Sequence, residues 1–253
     1  MKTQVAIIGG GPAGMLLSEI LHRSGIDSVV LEARSRAYVL SRIRAGVLEQ
    51  GTVDLLRENG LGERMDRDGH PHDGAWIVWA GRERYFINAW EQVGRRFMTY
   101  GQTSIQEDLF QAADRRSARI LHEVKEVELH DVSGDKPYVS FWYNGVQERL
   151  DCDFIAGCDG FHGVSRKAIP TSLLREFERV YPFGWLGVLS ETPPLNELIY
   201  CNHPRGFALA SQRNPMLSRY YVQVSLQDKV EDWSDDRFWT ELKARYPRDI
   251  ADA

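Results

Sequence analysis

Two groups of residues in this chain are of types and spacings that support chemistry. The first is Gly9-Gly10-Gly11-Pro12-Ala13-Gly14, which fits G-x-G-x-x-G, followed eighteen residues after Gly14 by the acid Glu32. A bend of this kind opening a helix offers free backbone N–H groups and a positive dipole end to a diphosphate. Gly9 lets the chain turn out of a strand, Gly11 leaves room for the diphosphate against the backbone, and Gly14 lets the helix approach the sheet. Glu32 is placed to accept hydrogen bonds from ribose hydroxyls, which favours FAD or NAD over a nucleotide with a 2′-phosphate. The second group is Arg205, Arg213 and Arg219, concentrated in one short stretch of a chain whose formal net charge is -5. Such a local excess of positive charge suits an anionic ligand. Arg42 and Arg44 precede a helical pattern, where they either reach a diphosphate or are solvated surface charge.

The elements that must position these groups follow from hydrophobic periodicity. Residues 4–8 (QVAII) are a short apolar, β-branched run that predicts a buried parallel strand. Met15, Leu16, Leu17, Ile20 and Leu21 form a helical face closed by Gly25, and residues 28–31 are a second strand that ends in Glu32. Strand, glycines, helix, strand and terminal acid in that order make a far stronger signal than the glycines alone. Val47, Leu48, Leu55 and Leu56 predict one face of a helix stopping at Gly60. Residues 76–79 and 84–87 read as strands joined around Gly81, an insertion over about 72–100 that breaks the βα alternation. Gly101-Gln102-Thr103 leads into a helix with Ile105, Leu109 and Ala112 inward. Residues 119–129, 137–143 and 146–150 read as strands, with Asn144-Gly145 as a hairpin turn. Residues 154–156 form a short buried strand running into Gly157-Cys158-Asp159-Gly160. From about residue 177, runs at 184–189, 198–201, 207–211 and 220–226 predict a mostly antiparallel sheet. A last helix is capped by Ser234, led by Asp235 and Asp236, apolar at Trp239, Leu242 and Tyr246, and ended by Pro247.

Composition narrows the function classes. The 253 residues, 43% hydrophobic and 26% charged, suit a soluble globular protein of one large or two modest domains. An acidic balance gives no electrostatic case for nucleic acid, and no apolar run is long enough to cross a membrane. The N-terminus lacks the cationic lead of a signal peptide. Cys152, Cys158 and Cys201 are odd in number and lack metal-ligand spacing, which predicts reduced thiols, no metal site and a cytoplasmic location.

Longer strings add a resemblance. GGGPAG at 9–14, CDGFHGVSR at 158–166 and ERVYPFGWLG at 178–187 carry it, supported by RIRAGVLEQG at 42–51, YGQT at 100–103 and IYCNHPRGFAL at 199–209. Over its whole length the chain is similar to the single-component FAD-dependent aromatic hydroxylases. The resemblance implies an α/β fold with an FAD-binding, Rossmann-like domain of glutathione-reductase type over residues 1–175. A mostly antiparallel β-sheet substrate domain would occupy 176–253. It implies FAD as cofactor, NADPH or NADH as electron donor, O2, and a small aromatic carboxylic acid such as 4-hydroxybenzoate, hydroxylated to 3,4-dihydroxybenzoate. Tyr200 matches the tyrosine that hydrogen-bonds the phenol oxygen, and His72 the histidine at the solvent end of the proton path. Ser211, Arg213 and Tyr221 match the set that holds the substrate carboxylate, and Arg219 an arginine beside the flavin. Gly9, Gly11, Gly14, Glu32, Arg42, Arg44, Gln102 and Asp159 match flavin-binding positions. His162 and Arg166 match positions that bind the NADPH phosphates. Ala33 and Arg34 lie where the choice between NADPH and NADH is made. Members of the family are commonly homodimers and continue beyond the position of Ala253. The resemblance therefore implies an N-terminal portion that alone binds FAD weakly and hydroxylates little.

Taken singly, the same residues have plainer readings. Tyr200 is a core tyrosine, His72 an exposed loop histidine, Ser211 a strand polar residue, Arg213 a surface charge and Tyr221 a packed aromatic. Two other functions also fit the glycine bend, an FAD- or NAD-dependent dehydrogenase and a non-catalytic nucleotide-binding module.

Overall fold

The computed structural model describes residues 1–42, 45–79, 82–193 and 195–252. Its helices are α1 (Pro12–Arg23), α2 (Arg36–Ser41), α3 (Gln50–Glu58), α4 (Glu63–Asp68), α5 (Ala89–Val93), α6 (Gln102–Arg115), α7 (Asp235–Lys243) and α8 (Arg248–Ala251). Its strands are β1 (Val5–Ile8), β2 (Ser28–Glu32), β3 (Val47–Glu49), β4 (His70–His72), β5 (Gly74–Trp79), β6 (Tyr85–Asn88), β7 (Phe97–Thr99) and β8 (Arg119–His122), then β9 (Lys125–His130), β10 (Tyr138–Tyr143), β11 (Val146–Asp151), β12 (Phe154–Gly157), β13 (Phe183–Ser190), β14 (Leu198–Asn202), β15 (Ala208–Asn214) and β16 (Leu217–Ser225). The chain divides into two compact units. One is Met1–Ala45, Leu56–Glu63 and Gly101–Phe177; the other is Gly46–Leu55, Arg64–Tyr100 and Glu178–Ala253. The chain therefore passes between the units several times, whereas the sequence suggests a single boundary near residue 175.

The first unit is built on a parallel sheet in the order β12-β1-β2-β8. β1 is buried at every position, as an apolar strand with neighbours on both edges should be. Ala6, Ile8, Val29 and Leu31 pack against Val139, Phe141 and Leu150 of a three-stranded antiparallel sheet, forming one apolar core. The hairpin that joins β10 to β11 turns at Asn144 (φ 51°) and Gly145 (φ 79°), the two positive φ values that a tight I′ turn demands. Two expectations change here. Residues 119–129 are two strands in two sheets, because Glu123 adopts φ 63° and breaks the extended run. β12 is an edge strand, and Phe154 is 70% exposed rather than buried.

The second unit is organised on a six-stranded sheet in the order β13-β16-β15-β14-β5-β6. Its pairs are antiparallel except β14 with β5, which run parallel, so the insertion extends the later sheet. Gly81, expected to join the two insertion strands, lies outside the described residues. A small sheet, β3-β7-β4, accompanies it. Val47 and Leu48 are in β3 rather than in a helix, which begins only at Gln50. α7 is capped by Ser234, whose Oγ accepts from the Arg237 N–H at 3.3 Å, and it buries Phe238 and Leu242 against the sheet. Pro247 closes that run but also caps the short α8.

Phe141, with no exposed surface, is the largest fully buried side chain joining the two sheets of the first unit. Phe141→Ala is expected to destabilise the protein by about 3–5 kcal/mol. An unfolding free energy from urea titration that changes by less than a quarter of that amount would contradict this packing.

Candidate functional site

In the first unit the glycine bend is held by backbone contacts. Gly9 has φ 105°, and a side chain there would meet the Cys158 carbonyl oxygen at 2.5 Å. The Asp-Gly segment thus lies directly on the bend and carries Asp159 to it. A Cβ at Gly14 would sit 1.9 Å from the Gly9 carbonyl oxygen, so α1 approaches the bend as closely as backbone allows. At Gly11 a Cβ meets nothing within 4 Å, and no side chain caps the N-terminus of α1. The first N–H groups of the helix are therefore open to a ligand.

Glu32 is nearly buried and doubly anchored. Its Oε2 accepts from the Gly10 N–H at 2.7 Å and its Oε1 from the Arg34 N–H at 2.7 Å. Each oxygen retains acceptor capacity for a ribose hydroxyl. Gln106, which sequence reasoning missed, donates from Nε2 to the Gly10 carbonyl at 3.0 Å, and Gln102 opens the same helix, α6. Asp159 accepts from the Ser165 N–H at 2.9 Å, which folds residues 159–165 back on its carboxylate. His162 is exposed with its ring edge-on to Phe161, while Arg166 donates to the Phe161 carbonyl and pairs with Glu176 at 3.3 Å. Arg42 is exposed and lies over the Tyr38 ring at 5.4 Å, and Arg44 lies outside the described residues.

The second unit gathers the other predicted residues on one sheet face. Side chains alternate along a strand, and directly paired residues share a face. Tyr200 pairs with Leu209, Leu209 with Tyr221, and Ser211 with Arg219. Those five therefore project together, while Ile199, Cys201, Ala208, Ala210 and Val222 project oppositely into the core under α7. The register shifts between Gln212 and Asn214, so Arg213 occupies a bulge, where an extra residue redirects a side chain. Arg219 is 7% exposed and its guanidinium lies 5.4 Å from the Tyr221 ring centre. That ring crosses Gly187, where a Cβ would come within 2.6 Å of it. Burial and the nearby Arg219 charge push the Arg213 guanidinium down to about 10, so it stays charged at neutral pH. Burial raises the Tyr200 hydroxyl above its ordinary value, so it is neutral there.

His72 departs from both sequence expectations. It is neither an exposed loop residue nor at solvent: it ends β4 and its side chain is 0% exposed. Its Nδ1 lies 2.9 Å from Glu197 Oε2, and its Nε2 is buried without a hydrogen-bond partner. Burial first, then the His70 charge, lowers the imidazole to about 4. Glu197 was not singled out in the sequence. A lone acid 125 residues away from its partner leaves no local pattern.

The sequence profile of a family described as FAD binding domain matches residues 2–253. The chain belongs to that family. It is 50% identical over 247 residues to the p-hydroxybenzoate hydroxylase of Acinetobacter baylyi, which covers 97% of this chain and 61% of that protein. It is 28% identical over 173 residues to a probable NADH-specific resorcinol 4-hydroxylase of Rhodococcus jostii, covering 64% of this chain and 32% of that one. The chain thus spans less than two thirds of the length of these relatives. Among solved structures, a variant of Pseudomonas aeruginosa PqsL superposes with a TM-score of 0.81 at 19% identity, covering 100% of this chain and 70% of that one. The p-nitrophenol 4-monooxygenase PnpA of Pseudomonas putida gives 0.76 at 16% identity, covering 97% and 64%. These likenesses establish the flavin-monooxygenase fold. The open helix N-terminus at Gly11 and the anchored Glu32 carboxylate fit the diphosphate and ribose of FAD, the family's cofactor.

Two outcomes are expected. Gly11→Ala should leave thermal stability within a degree or two yet weaken FAD binding at least about tenfold, because only the ligand occupies that space. Gly14→Ala should lower stability itself, by about 1–3 kcal/mol or more, since the helix must move. Equal effects of the two on the apoprotein would remove the basis for this cradle.

The second concerns pH. The unfolded chain takes up the His72 proton near 6.5, the folded chain only near 4. Between those values the unfolded state holds more protons, so stability falls as pH drops through this window, by up to about 3 kcal/mol. His72→Gln should flatten that part of the stability curve. An unchanged slope between pH 6.5 and 4 would refute it.

Proposed function

We propose that the chain is the flavin-binding and substrate-recognising portion of an FAD-dependent hydroxylase that converts 4-hydroxybenzoate to 3,4-dihydroxybenzoate with NAD(P)H and O2. The observation that carries the reading is the single sheet face on which Tyr200, Ser211, Arg219 and Tyr221 fall, with Arg213 re-aimed by its bulge. A phenol with a carboxylate across the ring needs an anion clamp and, separately, a group for the hydroxyl. The Acinetobacter relative, half identical in sequence, lends the substrate assignment further support.

When bound, FAD supplies the redox chemistry: it takes electrons from NAD(P)H and activates O2 for transfer of one oxygen atom to the ring. The chain's own residues do the rest. Arg213 grips the substrate carboxylate with its planar fork, helped by the hydroxyls of Ser211 and Tyr221. This fixes the ring and presents one carbon beside the phenol. Tyr200 donates to the phenol oxygen and, by passing the phenol proton onward, raises electron density at that carbon. Its neutral hydroxyl serves as both donor and acceptor. Arg219, held against Tyr221, sets the position of the flavin ring. Glu32, Gln102, Asp159, Arg42 and Arg44, with the glycine bend, hold the dinucleotide. His162 and Arg166 receive the phosphates of the nicotinamide nucleotide, so the nucleotide residues lie in the first unit and the residues for the aromatic acid in the second.

The full-length protein is expected to oxidise NADPH faster when 4-hydroxybenzoate is added, with matching O2 uptake. Arg213→Ala should weaken 4-hydroxybenzoate binding roughly 10- to 100-fold, and Arg213→Lys by less, read from the flavin difference spectrum. NADPH oxidation without O2 uptake would instead mark a dehydrogenase, and unchanged binding by Arg213→Ala would sink the assigned carboxylate clamp.

A further inference from the structure

We propose that the hollow at the C-terminal ends of α1 and α6 binds a small organic phosphate, at a site separate from the nucleotide cradle. Its volume is about 500 Å³, and residues of the first unit alone line it, among them His22, Arg23, Arg115 and Arg116. α1 has 12 residues, roughly 18 Å of helix, and the glycine bend lies at its other end. A molecule seated in the hollow is therefore not the diphosphate of the flavin nucleotide.

Charge gives the hollow its sign. Three guanidiniums line it against one carboxylate, Glu19, which is already paired with Arg116. Arg116 donates from Nε to Glu19 Oε2 and from Nη2 to Ser18 Oγ, each at 2.8 Å, so its side chain is a fixed wall. Arg23 donates to the Asn59 carbonyl at 3.4 Å and, like Arg115, makes no ion pair among the described residues. Basic side chains in a last helical turn ordinarily complement the dipole or bond the free carbonyls. Here backbone N–H groups take those carbonyls. The N–H groups of Ser24, Gly25 and Ile26 donate to Ile20, His22 and Leu21, and those of Arg116, Ser117 and Ala118 to Ala112, Asp114 and Ala113. The guanidiniums are thus not spent on the helix ends. Leu61 and Ala112, 6% and 7% exposed, add an apolar floor. Forked cations on several sides suit a doubly charged group with three acceptor oxygens, where a single carboxylate would leave a guanidinium unmet. The volume exceeds what a bare ion fills and matches pockets that hold small organic molecules, whose carbon body the floor would take.

The test uses the full-length protein with FAD bound, and the ring-proton NMR signal of His22, assigned through His22→Gln, as a reporter inside the hollow. Glycerol 3-phosphate, titrated at constant ionic strength, should move that signal along a saturating curve with a Kd below about 1 mM. Arg23→Gln and Arg115→Gln should each raise that Kd about tenfold, with thermal stability unchanged to within about two degrees. Succinate, a dicarboxylate of similar size, should bind at least about tenfold more weakly. Succinate bound as tightly as the phosphate would overturn the ligand class. A shift that chloride reproduces at equal concentration, no saturation below about 10 mM, or a Kd that neither substitution moves would overturn the site.

Discussion

The period-two alternation of the six-stranded sheet is the constraint from which the substrate-binding reading follows. Ile199, Cys201, Ala208, Ala210 and Val222 must all face the apolar layer beneath Phe238 and Leu242. Once they do, Tyr200, Leu209, Ser211, Arg219 and Tyr221 have no choice but to share the opposite face. A slip of one residue along β16 would turn Arg219 into the apolar layer and Val222 out of it, so register is enforced by the hydrophobic effect rather than by the polar residues themselves. The core side fixes the site side. Arg213 is the exception that shows the rule, because a bulge is needed to give it an aim that the strict alternation would not.

The nucleotide end depends on a different kind of constraint, one of backbone against backbone. The bend at Gly9 presses on Cys158, Gly14 presses on Gly9, and the Gly10 amide and carbonyl are taken by Glu32 and Gln106. Nothing but glycine satisfies the first two contacts. The cradle is consequently rigid before any ligand arrives, which lowers the ordering cost of binding. Glu32 carries two roles at once: it ties the bend to the end of β2 and keeps acceptor capacity for a ribose.

Much of this was legible in the sequence because it is local. The glycine bend, the first helix, the Asn144-Gly145 turn and the Ser234 cap each rest on residues a few positions apart, and each lies where its pattern put it. What was not legible is long-range. Nothing near Trp76 shows that its strand will run parallel to one beginning at Leu198, so the insertion could not be assigned to its sheet. The helix face read into Val47 and Leu48 failed because β7 offered those residues a strand partner. Phe154 looked buried because an aromatic in a short apolar run usually is, yet its strand has a neighbour on one edge only. The single strand read over 119–129 failed at Glu123, whose positive φ no residue-type preference signals.

The distribution of charge in the second unit runs against stability. Arg213 and Arg219 share one region of the sheet face, and burial first, then the Arg219 charge, makes the Arg213 guanidinium harder to keep charged. Arg219 is nearly buried and makes no ion pair among the described residues, setting its charge over an aromatic ring instead. A chain selected only to fold would place a carboxylate there or remove one arginine, since a desolvated cation without a counter-charge is costly. Arg219, a nearly buried cation over an aromatic ring, suits a neighbouring anion instead. A bound anion would meet that demand by relieving the repulsion between the two arginines.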